Sequence, residues 1–288
     1  MFDNISLKLS KEDQLKKEEA YQKLAARYAD YNDPWGFNLN TIKSAIDLIF
    51  PLYRKYFKVR VFGIENVKDE PYMMISNHTG QIPIDGVLIT IAFAMEFENP
   101  RIVHSMIERF MAGMPFLGDL TAQTGSILGD RENCKWLLDK GESIVAFPEG
   151  VRGINKSTKD FYKLQKFSNG FYRIALQAKT KILPISVVGA EEMFPIVFQG
   201  GDFGKKLGLP SLPIPLNLVP LPSPIDIYIG KPIEVPSDLS ADAPDSEIRK
   251  EVYKIENQIK KNISVGIEHR REFFDWARKP INKFMKKI

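Results

Sequence analysis

Short apolar runs alternate with longer segments of helical periodicity through the middle of this chain. Six of these runs predict strands, over residues 59–62, 72–75, 101–105, 143–147, 182–188 and 225–229. The segments between them predict helices over residues 85–97, 132–140 and 169–179. This alternation is typical of an α/β fold with a mixed, largely parallel central sheet that is flanked by helices.

A helical lead-in, residues 1–57, precedes the α/β domain, which we assign to residues 58–245. Ser10 and Asp13 have the spacing of a capping box at the start of the first helix, and Pro51 is expected to kink the second. The aromatic side chains of the lead-in suit two arrangements, packing on the α/β domain or lying at a membrane interface. The pattern of apolar positions leaves both open.

Residues 200–224 form a proline-rich insertion in the α/β domain that is apolar and, after Lys206, almost uncharged. It either folds back onto the core, forms a surface strap, or provides an apolar surface that enters the headgroup layer of a bilayer or covers a lipid site. Residues 246–288 predict C-terminal amphipathic helices. Their basic face and Trp276 fit a helix on an anionic membrane, and docking on the domain is an equal alternative. We expect peripheral membrane contact through these two regions.

Composition narrows the class of protein without identifying it. Lys and Arg number 40 against 36 Asp and Glu, and the net charge of +4 is too small to indicate nucleic-acid binding. The single cysteine, Cys134, excludes an internal disulfide framework and fits a reducing compartment. No apolar stretch approaches the ~18–20 residues of a membrane-spanning helix, and residues 1–13 show no signal peptide. We expect a peripheral protein on the cytoplasmic side of a membrane.

A histidine stands at the end of the second predicted strand. Ser76 and Asn77 close the apolar run 72–75, His78 follows, and Asp85 begins the next helix. An imidazole at a strand exit with a carboxylate a few residues later suits a pair of general base and orienting group. A structural histidine that caps a turn is the competing interpretation.

Three further segments lie at strand exits, where open α/β sheets carry their sites. Gly125-Ser-Ile-Leu-Gly-Asp-Arg131 puts an arginine just past a short strand, and Phe147-Pro-Glu-Gly-Val-Arg152 follows another strand directly. The third segment, 182–189, is a strand that contains proline. Each has a structural explanation when it is taken alone, namely a surface ion pair, a turn and an edge strand. Together they bring a histidine, two carboxylates and two arginines to one end of the sheet.

The order of these segments resembles the lysophospholipid or 1-acylglycerol-3-phosphate acyltransferase family. Its blocks are Asn-His with a downstream Asp, Gly-x5-Arg, Phe-Pro-Glu-Gly-x-Arg and an apolar strand with proline, and the resemblance spans residues 59–189. Two positions depart from the pattern. Six residues instead of four separate His78 from Asp85, with Pro83 at the usual Asp position, which resembles a variant subgroup with a longer turn. Val151 stands where a Thr or Ser is common, which removes one hydroxyl, so the motif says less about which acceptor binds.

The resemblance implies an O-acyltransferase with a general base and an anion site. His78 would take a proton from the acceptor hydroxyl, and Asp85 would fix the tautomer of the imidazole. The implied substrate-binding residues are Arg131, Glu149, Gly150 and Arg152. The arginines would hold a phosphate and Glu149 would bind a glycerol-type hydroxyl. The donor would be acyl-CoA or acyl carrier protein as co-substrate, with no bound cofactor, and the acceptor a lysophospholipid or related lipid alcohol of the membrane.

Two other functions stay open at this point. A thioesterase or lipid hydrolase would use the same pair, His78 and Asp85, to activate water. A non-catalytic lipid-binding protein would explain the altered spacing of that pair, although the intact segment 147–152 argues against loss of the chemistry. A metal site is not expected, because the three histidines lie in unrelated segments, and no phosphate loop or dinucleotide fingerprint is present.

Overall fold

A computed structural model describes residues 7–79, 84–154, 156–199, 213–215, 217 and 219–270 of the chain. Most of the proline-rich insertion and the basic helix expected beyond residue 270 therefore lie outside the described residues. The α-helices are α1 (Lys11–Arg27), α2 (Leu39–Pro51), α3 (Ile84–Met95), α4 (Arg109–Ala112), α5 (Leu117–Gln123), α6 (Arg131–Asp139), α7 (Val151–Ile154), α8 (Gly170–Ala178) and α9 (Asp245–Glu268). The strands are β1 (Arg60–Phe62), β2 (Met73–Ser76), β3 (Val103–Ile107), β4 (Ile127–Leu128), β5 (Ser143–Ala146), β6 (Ile182–Val188), β7 (Ile196–Gln199), β8 (Pro213–Pro215) and β9 (Asp226–Ile229).

Seven of the strands form one mixed sheet in the order β1-β9-β6-β2-β5-β3-β4, and β7 pairs with β8 separately. Neighbours in the large sheet are parallel except β6 and β9, which are antiparallel. This confirms the predicted α/β fold with a mixed, largely parallel sheet and flanking helices. Because β2, β5, β3 and β4 run in the same direction, the segments that follow them emerge at one edge of the sheet.

Alternate side chains of the central strands enter two separate hydrophobic cores. Met74 of β2 lies in the core beneath α1, α2 and α3, whereas Met73 and Ile75 lie in the core beneath α6, α8 and α9. Successive side chains of a strand point to opposite faces of its sheet. A continuous apolar run such as 72–75 therefore belongs to a strand that is covered on both faces.

The N-terminal helices pack on the α/β domain. Leu24 of α1 and Phe50 of α2 are fully buried and share a core with Met74 of the sheet. Pro51 ends α2, and the chain continues as a π-helix, Leu52–Tyr56, where the sequence predicts a kink. Of the two arrangements that the sequence left open for the lead-in, these helices adopt the packed one.

The helix α9 covers the opposite face of the sheet. The apolar positions that predict it are all buried, and they are Ile248, Val252, Ile255, Ile259 and Ile263. A stripe of this spacing faces one side of a helix. The described part of the C-terminal region therefore docks on the α/β domain.

Candidate active site

The backbone that carries His78 is fixed beyond the end of β2. The side-chain amide of Asn77 donates to the carbonyl of Val187 on β6 at 3.0 Å and accepts from its N–H at 2.9 Å. Asn77 is 1% exposed, so these bonds are made away from water. The amide thus continues the pairing between β2 and β6 for one more residue. The sequence analysis treated Asn77 only as the end of the strand and missed this role.

Asp85 reaches the imidazole of His78 despite the longer spacing between them. Its Oδ2 atom lies 2.7 Å from Nδ1 of His78. The same oxygen accepts from the N–H of Thr79 at 2.8 Å and from its hydroxyl at 3.2 Å, while Oδ1 accepts from the N–H of Gly86 at 2.8 Å. Because an ionised carboxylate only accepts, this arrangement places the proton of a neutral imidazole on Nδ1 and the lone pair on Nε2.

The ring of His78 is held from one face as well. The ring of Phe147 stacks on it with 4.4 Å between the centroids and 22° between the planes. The absence of a side chain at Gly153 allows α7 to pack closely against His78 and Glu149. A Cβ atom there would meet Cβ of His78 at 2.7 Å and Cβ of Glu149 at 2.8 Å. The side chain of His78 keeps 14% of its surface exposed, which leaves access for a substrate.

Glu149, which was expected to bind a glycerol-type hydroxyl, makes several contacts with the protein itself. This residue is 1% exposed, and its oxygens are already occupied by protein donors. Oε1 accepts from the N–H of His78 at 2.8 Å, and Oε2 accepts from the N–H of Gln165 at 2.7 Å and lies 3.1 Å from Nζ of Lys156. Three of the roughly four acceptor positions of this carboxylate therefore face groups of the protein itself. Glu149 thus ties the loop after β5 to the backbone of His78.

Gly150 and Arg152 occupy the turn that follows. Gly150 has φ +57°, a left-handed conformation that favours glycine, and its N–H donates to the carbonyl of Phe147 at 2.9 Å. Arg152 lies in α7, is exposed, and donates to the carbonyl of Lys166 at 3.0 Å. Its guanidinium is thus accessible beyond the end of β5, the strand that neighbours β2.

Arg131 lies at the same edge of the sheet but farther from His78. It is the first residue of α6, directly after β4, and its side chain is exposed. The strand β4 is three positions from β2 in the sheet, which corresponds to ~14 Å at the usual strand spacing. The structure therefore brings His78, Asp85 and Glu149 into contact. Arg152 lies beyond the end of the neighbouring strand, β5. Arg131 lies beyond the end of β4, which is the last strand on this side of the sheet.

A buried ion cluster of Lys156, Glu149 and Glu191 underlies His78, and the sequence analysis did not single out Lys156 or Glu191. Nζ of Lys156 lies 3.2 Å from the carbonyl oxygen of His78, 3.1 Å from Glu149 and 3.0 Å from Oε1 of Glu191. Lys156 is 6% and Glu191 1% exposed. Burial raises the pKa of Glu191 above its usual value. Burial acts to lower the pKa of Lys156, but Glu191 and Glu149 raise it more, so the ammonium stays charged.

An exposed apolar cluster lies on the hairpin of α4 and α5, which begins two residues after β3 ends. Its members are Met114, Phe116, Leu117 and Leu120. Phe116 is 90% exposed and has φ +62°, a conformation that bulky residues rarely adopt. The hairpin emerges from the same edge of the sheet as His78, because β3 is parallel to β5 and β5 to β2.

The other candidate groups lie away from this edge or in the core. His104 is fully buried, and its Nδ1 pairs with the carbonyl of Gly125 at 2.9 Å. Cys134 is buried in α6, and burial raises the pKa of its thiol to about 12. Across the described residues, no group of three or more His, Cys, Asp or Glu could hold a metal ion, and no helix is long and apolar enough to span a membrane.

Comparison with known proteins gives matches over most of the chain. The model of the acyltransferase family matches residues 58–188. An uncharacterized protein of Mycobacterium tuberculosis is 31% identical over 247 residues, which are 81% of this chain and 68% of the relative. A chloroplastic 1-acyl-sn-glycerol-3-phosphate acyltransferase of Arabidopsis thaliana is 27% identical over 156 residues, 53% of this chain and 41% of that protein.

A solved structure has the same fold. The crystal structure of the 1-acyl-sn-glycerophosphate acyltransferase of Thermotoga maritima matches with a TM-score of 0.51 and 16% sequence identity. The match covers 91% of this chain and 98% of the Thermotoga chain. The fold of this chain is thus a known architecture.

Proposed function

Because this chain belongs to the acyltransferase family and is an O-acyltransferase of the 1-acylglycerol-3-phosphate type, we propose that it transfers a fatty acyl group from acyl-CoA or acyl carrier protein to the hydroxyl of a lysophospholipid or related lipid alcohol. The observation that carries this proposal is the contact of 2.7 Å between Asp85 and His78 at the exit of β2. A base held in this way can activate a hydroxyl directly.

The reaction that we propose needs no nucleophile from the protein. Nε2 of His78 takes the proton of the acceptor hydroxyl while the hydroxyl oxygen attacks the thioester carbonyl. The tetrahedral intermediate then expels the thiolate, and the thiolate takes the proton from the imidazolium. Asp85 stays ionised and stabilises the imidazolium that forms. General base catalysis of this kind contributes on the order of 10²–10⁴ in rate.

The acceptor is best explained as a lipid with an anionic headgroup. The guanidinium of Arg152 is exposed beside the His78 loop, and Arg131 is exposed at the same edge. An arginine can bind a phosphate through two parallel hydrogen bonds. The strands that precede the two arginines, β5 and β4, are two positions apart in the sheet, which corresponds to ~10 Å, and β5 is the direct neighbour of β2, so Arg152 starts closer to His78 than Arg131 does. We assign the headgroup phosphate to Arg152 and a more distant anionic part of a substrate to Arg131.

The lipid acceptor also requires contact with a membrane surface. The exposed apolar cluster of α4 and α5 supports such contact, since large apolar side chains gathered at one place on a surface mark interaction sites. Its position at the His78 edge would let a lipid pass from the bilayer to the site. Contact through the proline-rich insertion 200–224 and the basic C-terminal helix remains part of the proposal, most of it outside the described residues.

Acyl transfer by the purified protein tests this function. The donors are palmitoyl-CoA and palmitoyl acyl carrier protein, the acceptors are lysophosphatidate and monoacylglycerol in mixed vesicles, and release of free thiol and formation of product are both measured. We expect thiol release that depends on acceptor and is lost in His78→Ala but kept in Lys163→Ala, a change of an exposed lysine. Release without acceptor would instead support a thioesterase. Equal rates for wild type and His78→Ala would support a lipid-binding protein.

A further inference from the structure

Charged side chains hold His78 at three separate points. Asp85 binds the ring nitrogen Nδ1, Glu149 accepts from the main-chain N–H, and Nζ of Lys156 donates to the main-chain carbonyl at 3.2 Å. Only the first of these contacts involves the imidazole. The other two contacts bind the main-chain N–H and carbonyl of His78, and they therefore fix the position of the backbone that carries the imidazole.

Lys156 is itself held between two buried carboxylates. Its Nζ atom lies 3.1 Å from Oε2 of Glu149 and 3.0 Å from Oε1 of Glu191. The other oxygen of Glu191 accepts from the N–H of Tyr162, so Glu191 is anchored to the backbone in turn. Contacts thus run from Glu191, just after β6, through the ammonium of Lys156 to His78. They connect the segment after β6 and the segment that contains Lys156 and Tyr162 to the candidate base.

Stability alone is a weak explanation for this cluster. Removing ions from water is costly, and well-packed apolar residues often replace a buried ion pair without loss of stability. The cluster holds one cation and two carboxylates, all at most 6% exposed. Such an arrangement is costly to bury and sits directly against the main chain of His78. Its position indicates a role in the geometry of the site.

We propose that Lys156 and Glu191 are positioning residues for His78. Lys156 fixes the carbonyl of His78 and the carboxylate of Glu149, and Glu191 fixes Lys156. This inference rests on the proposed function, in which His78 is the general base. Neither residue touches the reacting atoms, so both act through the placement of the imidazole. Misplacement of a catalytic group by about 1 Å costs on the order of 100-fold in rate, and we expect the loss in kcat more than in KM.

The test uses the double variant Lys156→Met with Glu191→Gln. Removing Lys156 alone would leave an extra buried carboxylate without its cation and endanger folding. In the double variant Glu191 is neutral, while Glu149 keeps the N–H donors of His78 and Gln165. We expect kcat to fall at least about tenfold with KM within about twofold of wild type. An unchanged kcat would overturn the proposal.

Glu256→Gln provides a matched control. Like Glu191, Glu256 is buried, at 3% exposure, accepts a backbone N–H, that of Phe167 at 2.6 Å, and pairs with a cation, Arg249, at 2.6 Å. It lies on α9, and its hydrogen bonds and ion pair among the described residues go to Phe167 and Arg249 and not to His78. We expect this variant to lose stability and keep the wild-type kcat. If it lowers kcat as much as the double variant does, the loss reflects general loosening and the proposal fails.

A spectroscopic measurement separates this inference from the proposed function. A proton on Nδ1 of His78 that is shared with Asp85 gives a strongly downfield NMR signal, which Asp85→Asn assigns. We expect the double variant to shift or broaden this signal and Glu256→Gln to leave it unchanged. If the signal responds but the wild type transfers no acyl group, the positioning role stands and the proposed function fails. If the signal does not respond, the positioning role is wrong even for an active enzyme.

Discussion

The two oxygens of Asp85 accept four hydrogen bonds, and three of them come from groups other than the imidazole. Oδ2 faces the N–H of Thr79 and Oδ1 faces the N–H of Gly86, so each oxygen has a main-chain donor. Replacing either oxygen by an amide NH₂ group therefore sets two donors against each other. Both oxygens of the Asp85 carboxylate are thus needed as acceptors, and an asparagine amide would place a donor against a donor in either orientation.

We therefore expect Asp85→Asn to lower kcat by about 10²–10⁴, with little change in KM, because the imidazole loses both its orienting acceptor and the charge that stabilises the imidazolium. Steady-state acyl transfer at pH 7 measures both parameters. The control is Asp160→Asn, which changes an aspartate with 44% of its side-chain surface exposed, eight residues after Arg152 in the chain. If Asp85→Asn retains the wild-type kcat, another group orients His78.

At the scale of residues, the sequence predicts which side chains meet but not how each is used. His78 and Asp85 were paired from their place at a strand exit, and the structure puts them in contact. Glu149 was assigned to a substrate hydroxyl because a motif names a carboxylate without showing where its oxygens point. Its burial depends on Lys156 and Gln165, which lie 7 and 16 residues later along the chain, and no local pattern signals that contact.

Phe116 makes the hairpin of α4 and α5 unusual among the described elements. Its φ of +62° costs on the order of 1–3 kcal/mol for a non-glycine residue, yet its ring is 90% exposed and contributes little to the core. Strain of this kind persists where the surroundings impose it. An aromatic side chain held outward in a strained turn suits insertion into a bilayer surface.

Phe116→Gly should act in opposite directions on stability and on membrane binding. Glycine adopts positive φ without strain, so we expect a higher Tm. Loss of a ring that would be buried in lipid, worth about 1.5–3 kcal/mol, should weaken binding to phosphatidylglycerol vesicles roughly tenfold or more. Thermal unfolding and vesicle co-sedimentation measure the two effects. Tyr253→Ser, a change of an exposed aromatic residue on α9, is the control and should bind as wild type does. Unchanged binding of Phe116→Gly would exclude the hairpin from the membrane surface.

At the scale of elements, the apolar runs predict the large sheet well and the hairpin poorly. The strand predicted over 182–188 has those bounds in the structure, and the strand predicted over 143–147 ends one residue earlier. Buried parallel strands are continuous apolar runs, which can be read from the sequence directly. The hairpin 109–123 has no such run, and a proline and two glycines interrupt its apolar residues, so its short helices depend on tertiary packing.

The whole molecule joins the helical lead-in, the sheet and the site into one structure. The core beneath α1, α2 and α3 includes residues of β2, β5 and β6, and β2 and β5 are the strands that carry His78 and Glu149 to the edge of the sheet. The sequence could not choose between a packed and an interfacial lead-in, because an amphipathic helix offers the same apolar face to a protein core and to a lipid surface. Whether a protein core or a lipid surface covers that face depends on the tertiary packing of the rest of the chain.

Asp13 is a buried carboxylate that ties α1 to the π-helix Leu52–Tyr56 at the other end of the lead-in, and its titration tests how much these contacts stabilise the protein. It accepts from the N–H and hydroxyl of Ser10 and from Nε of Arg54 at 2.7 Å, with Lys55 at 3.4 Å. Burial acts to raise the pKa of Asp13, but the hydrogen bonds of Ser10 and the charge of Arg54 lower it below 3.8. A carboxyl whose pKa is depressed by folding stabilises the protein above its unfolded pKa, and this contribution is lost as the pH falls through the folded pKa.

We therefore expect Asp13→Asn to reduce the free energy of unfolding at pH 7 by about 1–3 kcal/mol. The difference from wild type should shrink as the pH falls from the usual pKa of an unfolded aspartate through the lower pKa of folded Asp13, because the carboxyl is then protonated first in the unfolded and next in the folded protein. Urea unfolding followed by tryptophan fluorescence and by circular dichroism at each pH measures this difference. Because Leu24 of α1 shares a core with Met74 of β2, both probes should report one transition for wild type and variant. An early, separate transition of the variant would show that the lead-in unfolds independently of the sheet that carries the site.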